Sequence, residues 1–460
     1  MKRPPTGVAL AWLMLVAAIP YGGALIYLMI GERRVGDERA RRIDQMRTDY
    51  EPLRKRVLDQ GMSDINWERH APAAELLDRL GRNLVGIPTV GGNDCEIISN
   101  TDVILNGIRK DIDQAQESVL MEFYIWNKGG LADDVLDAII RASARGVNCR
   151  LLIDALGAGP WWKSDQPDKL KAAGVLLEAT LPVGLFRTFV GRTDLRMHRK
   201  IVVIDSRVAW TGSMNLVDPR YFKQDTGVGE WVDAMVRLKG PVVIPLTAVL
   251  IGDWAVETGE SVRDLLPEHD LQFVETEGGA DIQVIPSGPA IEDEGLLQMF
   301  LGLINSAQNE LVLTTPYLVP DDSLLKALRG AAGRGVRVSI IVPEKVDSFL
   351  TRYASRSYFD HLLEAGIRIF QYRAGLLHTK SLVVDNSVSM FGTVNLDMRS
   401  LWLNYELSLF IYDAQFASQL RQLQQNYIED SIPLDPDLWA ARPMATRLLE
   451  NVLRLMSPLL

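Results

Sequence analysis

An internal repeat constrains this chain more than any other feature of its sequence. In each half of the 460 residues, an apolar strand is followed by a helical stretch, a second apolar strand, an Ala-Gly turn and a third strand. Apolar positions in the helical stretches recur at three- and four-residue spacing, as in helices that face a core. Strands that alternate with helices of about 10 to 15 residues predict βαβ units and a largely parallel sheet. The matching segments are SVLMEFYIW, LADDVLDAIIRASARGV, NCRLLID and AAGVLLEA in the first half, and NELVLTTPYLV, DDSLLKALRGAAGRGV, RVSIIVP and EAGIRIFQ in the second.

The repeat predicts an α/β fold with two similar domains, which we place at residues 96–275 and 276–460. Near their boundary, the segment EHDLQFVETEGGADIQ has the turn and charge content of a linker or an edge segment. Two regions precede the repeat. Residues 1–31 are predicted to form a transmembrane anchor, and residues 32–95 a charged, helical juxtamembrane region.

The predicted anchor rests on an uncharged apolar run at residues 8–30. At about 1.5 Å per residue, a helix of this length measures roughly 35 Å, which exceeds the bilayer core of about 30 Å. Pro20 would kink the helix, and transmembrane helices tolerate such a kink. A cleaved signal peptide is the alternative, because Lys2 and Arg3 precede the run. The run continues past any small-residue cleavage site, which favours the anchor.

Six arginines follow the apolar run within a short stretch. Their excess predicts that the body of the protein lies in the cytoplasm, with the anchor in the membrane. Two interpretations of these side chains are open: they contact anionic lipid headgroups, or they act only as a topological signal. They are Arg33, Arg34, Arg39, Arg41, Arg42 and Arg47.

Charge and cysteine content exclude several classes of protein. The formal net charge is −10, which disfavours a protein that wraps nucleic acid. The two cysteines, Cys95 and Cys149, cannot form a disulfide framework or a four-thiolate zinc site. Cys149 lies in an apolar run, which predicts a buried free thiol.

Each half carries the same polar motif after its third strand. The motif is His-x-Lys, then four residues and Asp, then Gly-Ser/Thr-x-Asn. Two of the five histidines fall at equivalent places in the repeat, so chance is an implausible origin. The first copy contains His198, Lys200, Asp205, Ser213 and Asn215, and the second contains His378, Lys380, Asp385, Thr393 and Asn395.

The spacing of the motif predicts one shared cleft for the two copies. Residues two apart on a strand point to the same face, so each His and Lys point together. The Asp closes the strand, and we expect it to have a structural role. The Ser/Thr and Asn end the following strand and can return to the same cleft.

Such a cleft suits a phosphodiester. Lysines and amides can bind its non-bridging oxygens, while one imidazole attacks phosphorus and the other protonates the leaving oxygen. Histidine suits both roles because its ordinary pKa is about 6.5. No metal is predicted, since the lysines already supply positive charge and no side-chain cluster has metal-ligand spacing.

The duplicated motif resembles the signature of the phospholipase D superfamily. That resemblance implies a phosphohistidine intermediate and no cofactor, and it favours His198 as the nucleophile and His378 as the general acid. Longer segments resemble bacterial cardiolipin synthases of the two-motif type. The chain departs from many members of that family, which begin with two transmembrane helices where this chain has one. The segments are EFYIW, DLRMHRK, TGSMNLVDPRYFKQD, TTPYLVPDD, GLLHTKS and GTVNLDMRSLWLNYE.

The resemblance implies that two phosphatidylglycerol molecules react at the bacterial inner membrane to give cardiolipin and glycerol. It also implies that an acid after each Asn orients a histidine through its second ring nitrogen. The candidates are Asp233 and Glu406, each at the start of an apolar strand. The alternative for each is a surface or strand-capping carboxylate.

Two other functions compete with the synthase. A membrane-anchored phospholipase or nuclease, or another phosphatidyltransferase, would share the phosphohistidine stage. A membrane scaffold without activity is the second alternative, and two intact motif copies argue against it.

Three further segments have open interpretations. The basic residues 186–196 bind an anionic headgroup or form a solvated loop. Trp161 and Trp162 face lipid at the mouth of the site or belong to a packed loop. The amphipathic stretch 444–460 packs on the protein's own core or lies on the membrane.

Overall fold

The computed structural model describes residues 6–27, 37–59, 62–182, 194–265, 274–289 and 294–454. The helices are α1 Thr6–Ala18, α2 Pro20–Ile26, α3 Asp37–Asp59, α4 Ala74–Val85, α5 Thr101–Gln114, α6 Leu131–Ala144, α7 Gly159–Trp162, α8 Gln166–Ala172, α9 Val243–Thr258, α10 Val262–Leu265, α11 Gly295–Ser306, α12 Asp322–Gly333, α13 Phe349–Glu364, α14 Met398–Trp402, α15 Ala414–Glu429, α16 Pro436–Ala440 and α17 Met444–Arg454. The strands are β1 Val90–Ile98, β2 Ser118–Phe123, β3 Asn148–Asp154, β4 Leu176–Thr180, β5 Ile201–Ile204, β6 Val208–Gly212, β7 Trp231–Val232, β8 Met235–Lys239, β9 Ala280–Ser287, β10 Glu310–Thr314, β11 Leu318–Val319, β12 Arg337–Pro343, β13 Arg368–Tyr372, β14 Leu376–Leu377, β15 Ser381–Val384, β16 Val388–Gly392, β17 Leu396–Asp397, β18 Glu406–Tyr412 and β19 Ser431–Pro433.

One continuous sheet runs through both halves of the described chain. Its strand order is β19-β13-β12-β10-β15-β16-β18-β9-β1-β8-β6-β5-β2-β3-β4. From the central β9–β1 pair outward, the strands of the two halves follow in the same order. Strand β19 is an additional strand at one edge. The predicted α/β fold with a duplicated unit is therefore confirmed.

The prediction of a largely parallel sheet is wrong. Within the fifteen-stranded sheet that the structure describes, only the βαβ parts, β2-β3-β4 and β10-β12-β13, are parallel, and the strands nearer the centre are antiparallel. The short β5–β6 and β15–β16 connections permit only antiparallel pairing, because a parallel pair needs a long crossover. Asp205 and Ser206 link β5 to β6 in a tight turn with φ of 50° at both residues, a conformation that suits a twisted hairpin.

Among the residues that the structure describes, backbone pairing joins the two halves at three places. Strands β1 and β9 pair antiparallel at the centre of the sheet. Strand β14 of the second half pairs with β7 of the first, and Met197 forms an isolated bridge with Tyr405. Because the sheet is continuous and β1 begins ahead of residue 96, the domain boundaries given above stay a prediction.

The region predicted as a juxtamembrane helix contains two helices that pack on different halves. Helix α3 packs against α9 of the first half, whereas α4 packs against α11 and β9 of the second. Leu77 of α4 is buried in the core of the second half together with Phe300. The segment before the repeat is thus part of the folded body.

The apolar run at the N-terminus does not form one straight helix in the structure. It contains α1 and α2, which are separated at Ile19, where φ is −134° and ψ is 77°. Pro20 explains the break, because a proline disfavours the helical conformation of the residue before it. None of the helices among the described residues is both long and apolar enough to cross a membrane.

Candidate active site

Each His-x-Lys segment is held by the backbone of the opposite half. The backbone N–H of His198 donates to the carbonyl of Tyr405 at 2.9 Å, and that of His378 donates to the carbonyl of Val232 at 2.8 Å. The residue that follows each carbonyl is one of the two candidate acids. The pairing between halves therefore sets each histidine beside a carboxylate.

Both candidate acids contact a histidine, and each contacts the histidine of the other half. Glu406 Oε2 lies 2.8 Å from His198 Nδ1, and Asp233 Oδ1 lies 2.7 Å from His378 Nδ1. Both carboxylates are buried, so neither is a surface group. An ionised carboxylate accepts the Nδ1–H, which leaves Nε2 of each ring for chemistry.

The four motif side chains share one buried site. The charge of Lys380 acts on His198, and the charge of Lys200 acts on His378. Both lysines are almost fully buried, and each Nζ donates to the carbonyl of the histidine two residues earlier. The sequence prediction of a shared cleft agrees with this arrangement.

Burial sets the protonation of the histidines and lysines. It lowers the pKa of each histidine to about 4, although the carboxylate partner acts in the opposite direction. Burial also lowers the pKa of Lys200 to about 8 and that of Lys380 to about 7, where repulsion by Lys200 adds to the effect. Without an anion in the site, both imidazoles are neutral at pH 7.

The two acids stay ionised despite their burial. Burial opposes ionisation of Asp233, but His378 and Lys380 outweigh it and hold the pKa at about 2. The pKa of Glu406 is also lowered, because His198 and Lys200 outweigh burial. The site thus pairs two fixed carboxylates with two buried cationic groups.

The motif hydroxyls lie against the acids. Ser213 Oγ donates to Asp233 Oδ1 at 2.6 Å, and Thr393 Oγ1 donates to Glu406 Oε2 at 2.5 Å. These bonds help to orient the carboxylates. The predicted role of the hydroxyls in binding phosphate is untested by this contact and stays a prediction.

The two motif asparagines are buried and have unused hydrogen-bonding capacity. Asn215 Oδ1 accepts from the backbone N–H of Ile125, and its Nδ2 has no partner among the described residues. Asn395 is likewise buried, and its Oδ1 has no partner in the same part of the chain. The free N–H bonds of Asn215 are available to an oxygen of a bound phosphodiester.

The motif aspartates lie at the far end of their strands from the histidines. The Asp205 carboxylate accepts from three successive backbone N–H groups at the start of β2, at 2.8 to 2.9 Å. Asp385 does the same at the start of β10. Both residues pin a hairpin turn to the neighbouring strand, which fits the structural role expected from the sequence.

Sequence analysis missed Asp154, which ends strand β3. Its carboxylate is fully buried and accepts from the backbone N–H of Met197 at 3.0 Å, and also from Leu156 and Gly157. It therefore holds the residue before His198 in place. The sequence feature that could have indicated this role is the single acid at the end of the apolar run NCRLLID, which the second half does not repeat. Pro343 is the last residue of the matching strand β12.

Sequence analysis also missed a contact between helix α3 and the site. Arg39 Nε donates to the Tyr405 hydroxyl at 3.2 Å, and Arg39 Nη1 lies 2.8 Å from Glu257 Oε1. Arg42 donates to the carbonyls of Val256 and Glu257. These two arginines bond within the protein, so headgroup contact does not account for them.

The remaining candidate segments have different outcomes. Trp161 lies in the short helix α7, where it is buried, stacks on Trp126 at 4.6 Å and donates to Gln166, so it packs inside the protein and does not face lipid. Cys149 is a buried free thiol, as predicted. Most of the basic segment 186–196 lies outside the described residues.

Within the parts of the chain that the structure describes, no three His, Cys, Asp or Glu side chains gather into a group that could hold a metal ion. That the reaction needs no metal stays a prediction.

The duplicated α/β fold and its paired His-x-Lys motifs define a protein with two phospholipase D-like units that share one site. The sequence matches the family described as "Cardiolipin synthase, PLD-like domain" over residues 108–229 and 300–427. The chain belongs to this family.

Curated relatives match along the whole chain. It is 44% identical to cardiolipin synthase A of Proteus mirabilis and 44% identical to cardiolipin synthase A of Erwinia tasmaniensis. Each alignment covers 100% of this chain and 94% of the relative. Among solved structures, phosphatidylserine synthase of Haemophilus influenzae is similar with a TM-score of 0.62 and 17% identity, over 84% of this chain and 100% of that chain. The structural likeness supports the fold alone.

Proposed function

We propose that this protein is a cardiolipin synthase, which transfers a phosphatidyl group from one phosphatidylglycerol to the glycerol headgroup of another. The observation that carries the proposal is the crosswise pairing of His198 with Glu406 and of His378 with Asp233. This pairing supplies two oriented imidazoles at one site. The similarity to curated cardiolipin synthases along the full chain supports the choice of substrate.

In the first half-reaction, Nε2 of His198 attacks phosphorus of the donor lipid. The bond from phosphorus to the glycerol oxygen breaks, and Nε2–H of His378 protonates that oxygen, so glycerol leaves. His378 must be protonated for this step. Its pKa is low in the free site, and the negative charge of a bound phosphodiester raises it.

In the second half-reaction, a hydroxyl of the acceptor's headgroup attacks the phosphohistidine. His378, now neutral, takes the proton of that hydroxyl, and the bond from phosphorus to His198 breaks. Cardiolipin is released and His198 returns to its starting state. The two half-reactions mirror each other, so one site can perform both.

Lys200, Lys380 and the free amide N–H of Asn215 hold the phosphate oxygens in this scheme. Lys200 and Lys380 lie in a site with little water, where a charge stabilises the transition state more strongly than in solution. Burial also disfavours hydrolysis of the intermediate, because water is scarce around the phosphohistidine.

We further propose that the apolar N-terminal segment attaches the protein to the inner membrane, with the catalytic body in the cytoplasm. Large apolar side chains of α1 and α2 are exposed, among them Leu13, Met14 and Leu25. Attachment would keep the site beside its lipid substrates, which concentrates the acceptor relative to water.

The test is product analysis with labelled phosphatidylglycerol in mixed micelles. We expect cardiolipin and glycerol in equal amounts, with phosphatidic acid as a minor product, and suppression of cardiolipin by added glycerol. The His198→Ala variant serves as the blank. If phosphatidic acid dominates and glycerol has no effect, the protein is a phospholipase.

A further inference from the structure

The C-terminal helix α17 presents its apolar side chains to solvent. Met444, Leu448 and Val452 lie one above another at four-residue spacing, and they are 88%, 65% and 51% exposed. Leu449 beside them is 40% exposed. A helix packed on its own core would show the opposite arrangement.

A buried ion pair network sets the rotation of α17. Glu450 is 1% exposed and accepts from Arg356 Nε at 2.7 Å and from Arg442 Nη2 at 3.0 Å. On the same side, the Arg454 guanidinium covers the ring of Tyr358. Rotation of the apolar side chains inward would leave Glu450 without these partners, which is costly for a buried carboxylate.

Helix α17 packs on α13, which also exposes apolar side chains. Phe349 and Leu350 at the start of α13 are 61% and 40% exposed. Helix α16, which packs on α13 as well, exposes Leu438. Just over half of the exposed large apolar side chains that the structure describes between residues 62 and 454 lie on these three helices.

The start of α13 lies beside the surroundings of His378. Asp347, two residues before α13, accepts from Tyr317 at 2.8 Å and from Lys223 at 3.0 Å. The Lys223 Nζ lies 5.2 Å from the ring of Trp231, which is 4.3 Å from the ring of His378. The exposed start of α13 therefore adjoins the site.

We propose that the outward face of α17, together with the start of α13, docks on the surface of an anionic lipid bilayer. Apolar side chains at helical spacing with flanking cations are the features of a helix that lies in the membrane interface. On α17 the outer charged residue is Arg447, while its one carboxylate, Glu450, is buried. The face thus combines apolar area with positive charge, which matches an anionic lipid surface.

This inference rests on the proposed function, because a lipid substrate brings the protein to a bilayer. It assigns a membrane contact to the catalytic body itself, separate from the N-terminal segment. Residues 455–460, LMSPLL, carry no charge and continue the apolar character of the helix in the sequence.

Spin labels on the full-length protein in phosphatidylglycerol-containing vesicles test the docking. Leu448→Cys is labelled in a Cys95→Ser background, since Cys149 is buried, and Val103→Cys on α5 is the matched exposed control. We expect the label at 448 to collide mostly with oxygen and the label at 103 mostly with a water-soluble nickel complex. Equal collision ratios at both positions would overturn the proposal. Protection of the label at 448 from both reagents, with spin–spin broadening, would also overturn it in favour of a second copy of the chain.

Kinetics separate the docking from the chemistry. In a Leu448→Asp variant, we expect about a tenfold higher KM for phosphatidylglycerol in vesicles, from the lost burial of one leucine. Turnover of monomeric short-chain phosphatidylglycerol should be unchanged, and Leu76→Asp on α4 is the matched control. Unchanged KM in vesicles would contradict the docking. Failure of the unmodified protein to form cardiolipin from either substrate would contradict the proposed function instead.

Discussion

The two halves of the molecule carry the same motif, yet they surround their histidines differently. Beside His198 lie Tyr124, with ring centroids 5.0 Å apart, and Arg199, the middle residue of the motif. Arg199 is buried, and its guanidinium donates to the backbone carbonyls of Glu406 and Ser287. It also forms an ion pair with Asp253.

The corresponding middle residue beside His378 is Thr379, which contacts the carbonyl of Val232 and the hydroxyl of Tyr427. The aromatic ring beside His378 is that of Trp231, with ring centroids 4.3 Å apart. The His198 side is thus braced by a buried cation, and the His378 side by neutral groups.

The repeat thus supplies the same reacting groups twice, whereas the residues around the two histidines differ. Both halves share one arrangement: each histidine contacts an acid from the other half, so neither half has a complete site alone. The residues that differ around the two histidines can give the two imidazoles different roles in the reaction.

The largest effect is expected from removing either imidazole. His198→Ala and His378→Ala should each reduce cardiolipin formation by at least about 10³-fold, because each half lacks a complete site. Cardiolipin is measured by chromatography, and circular dichroism verifies that the variants are folded. Full activity of either variant would disprove the shared site, and mass spectrometry of a trapped phosphorylated residue would identify the nucleophile.

The exchange of acids between halves predicts a crosswise pattern. Glu406→Gln should lower kcat by about 10²- to 10⁴-fold through His198, and Asp233→Asn should do so through His378. Trapping of the phosphorylated intermediate is the measurement that separates them. If His198 is the nucleophile, Glu406→Gln should impair its formation although Glu406 belongs to the second half. If Asp233→Asn, in the same half as His198, impaired formation of the His198 intermediate and Glu406→Gln did not, the crosswise pairing would be contradicted.

The two buried lysines predict a loss of activity at high pH. The pKa of Lys380 is about 7 and that of Lys200 about 8 in the free protein, so both lose their charge as the pH rises through this range. Because the neutral form binds an anion poorly, kcat/KM should fall more steeply above about pH 7 to 8, by up to about a further tenfold per pH unit for each lysine. A pH profile in micelles of constant charge measures this. A rise of kcat/KM between pH 7 and 9 would contradict it.

A smaller effect is expected from Arg39, which braces only the His198 side. Arg39→Ala should lower kcat by about tenfold with little change in KM, since loss of its bond to Tyr405 loosens the segment that carries Glu406. Arg39→Lys should recover part of the rate. Arg42→Ala, on the same helix but without contact to Tyr405, is the control. If kcat fell equally in the two alanine variants, α3 would contribute only to the stability of the fold and not to the position of Glu406.

The smallest effect on the reaction is expected from the motif aspartates. Asp205→Asn and Asp385→Asn should each lower the free energy of unfolding by about 1 to 3 kcal/mol, because a charged acceptor of three backbone bonds is lost. The rate of the folded protein should change little. Thermal unfolding and kcat are measured on the same samples, and a large loss of kcat without loss of stability would assign these residues to the chemistry.

The sequence by itself determined what is local and repeated. The two motif copies, the placement of His and Lys on one strand face, and the strand-helix-strand succession all follow from spacing within about 20 residues. These features are reliable because side-chain direction along a strand or helix is a property of the local backbone. Even the structural role of Asp205 could be expected, since a residue that closes a strand commonly ties down the turn.

Only the tertiary structure decided which distant groups meet. Spacing could nominate Glu406 and Asp233, but not that each serves the histidine of the other half, nor that Arg39 reaches Tyr405. The amphipathic pattern of α17 does not say which side faces inward, and the partners of Glu450 decide that. The physical reason is that contacts between remote segments depend on how the whole sheet closes and on which buried charges find a partner. No local pattern in the chain encodes either of these outcomes.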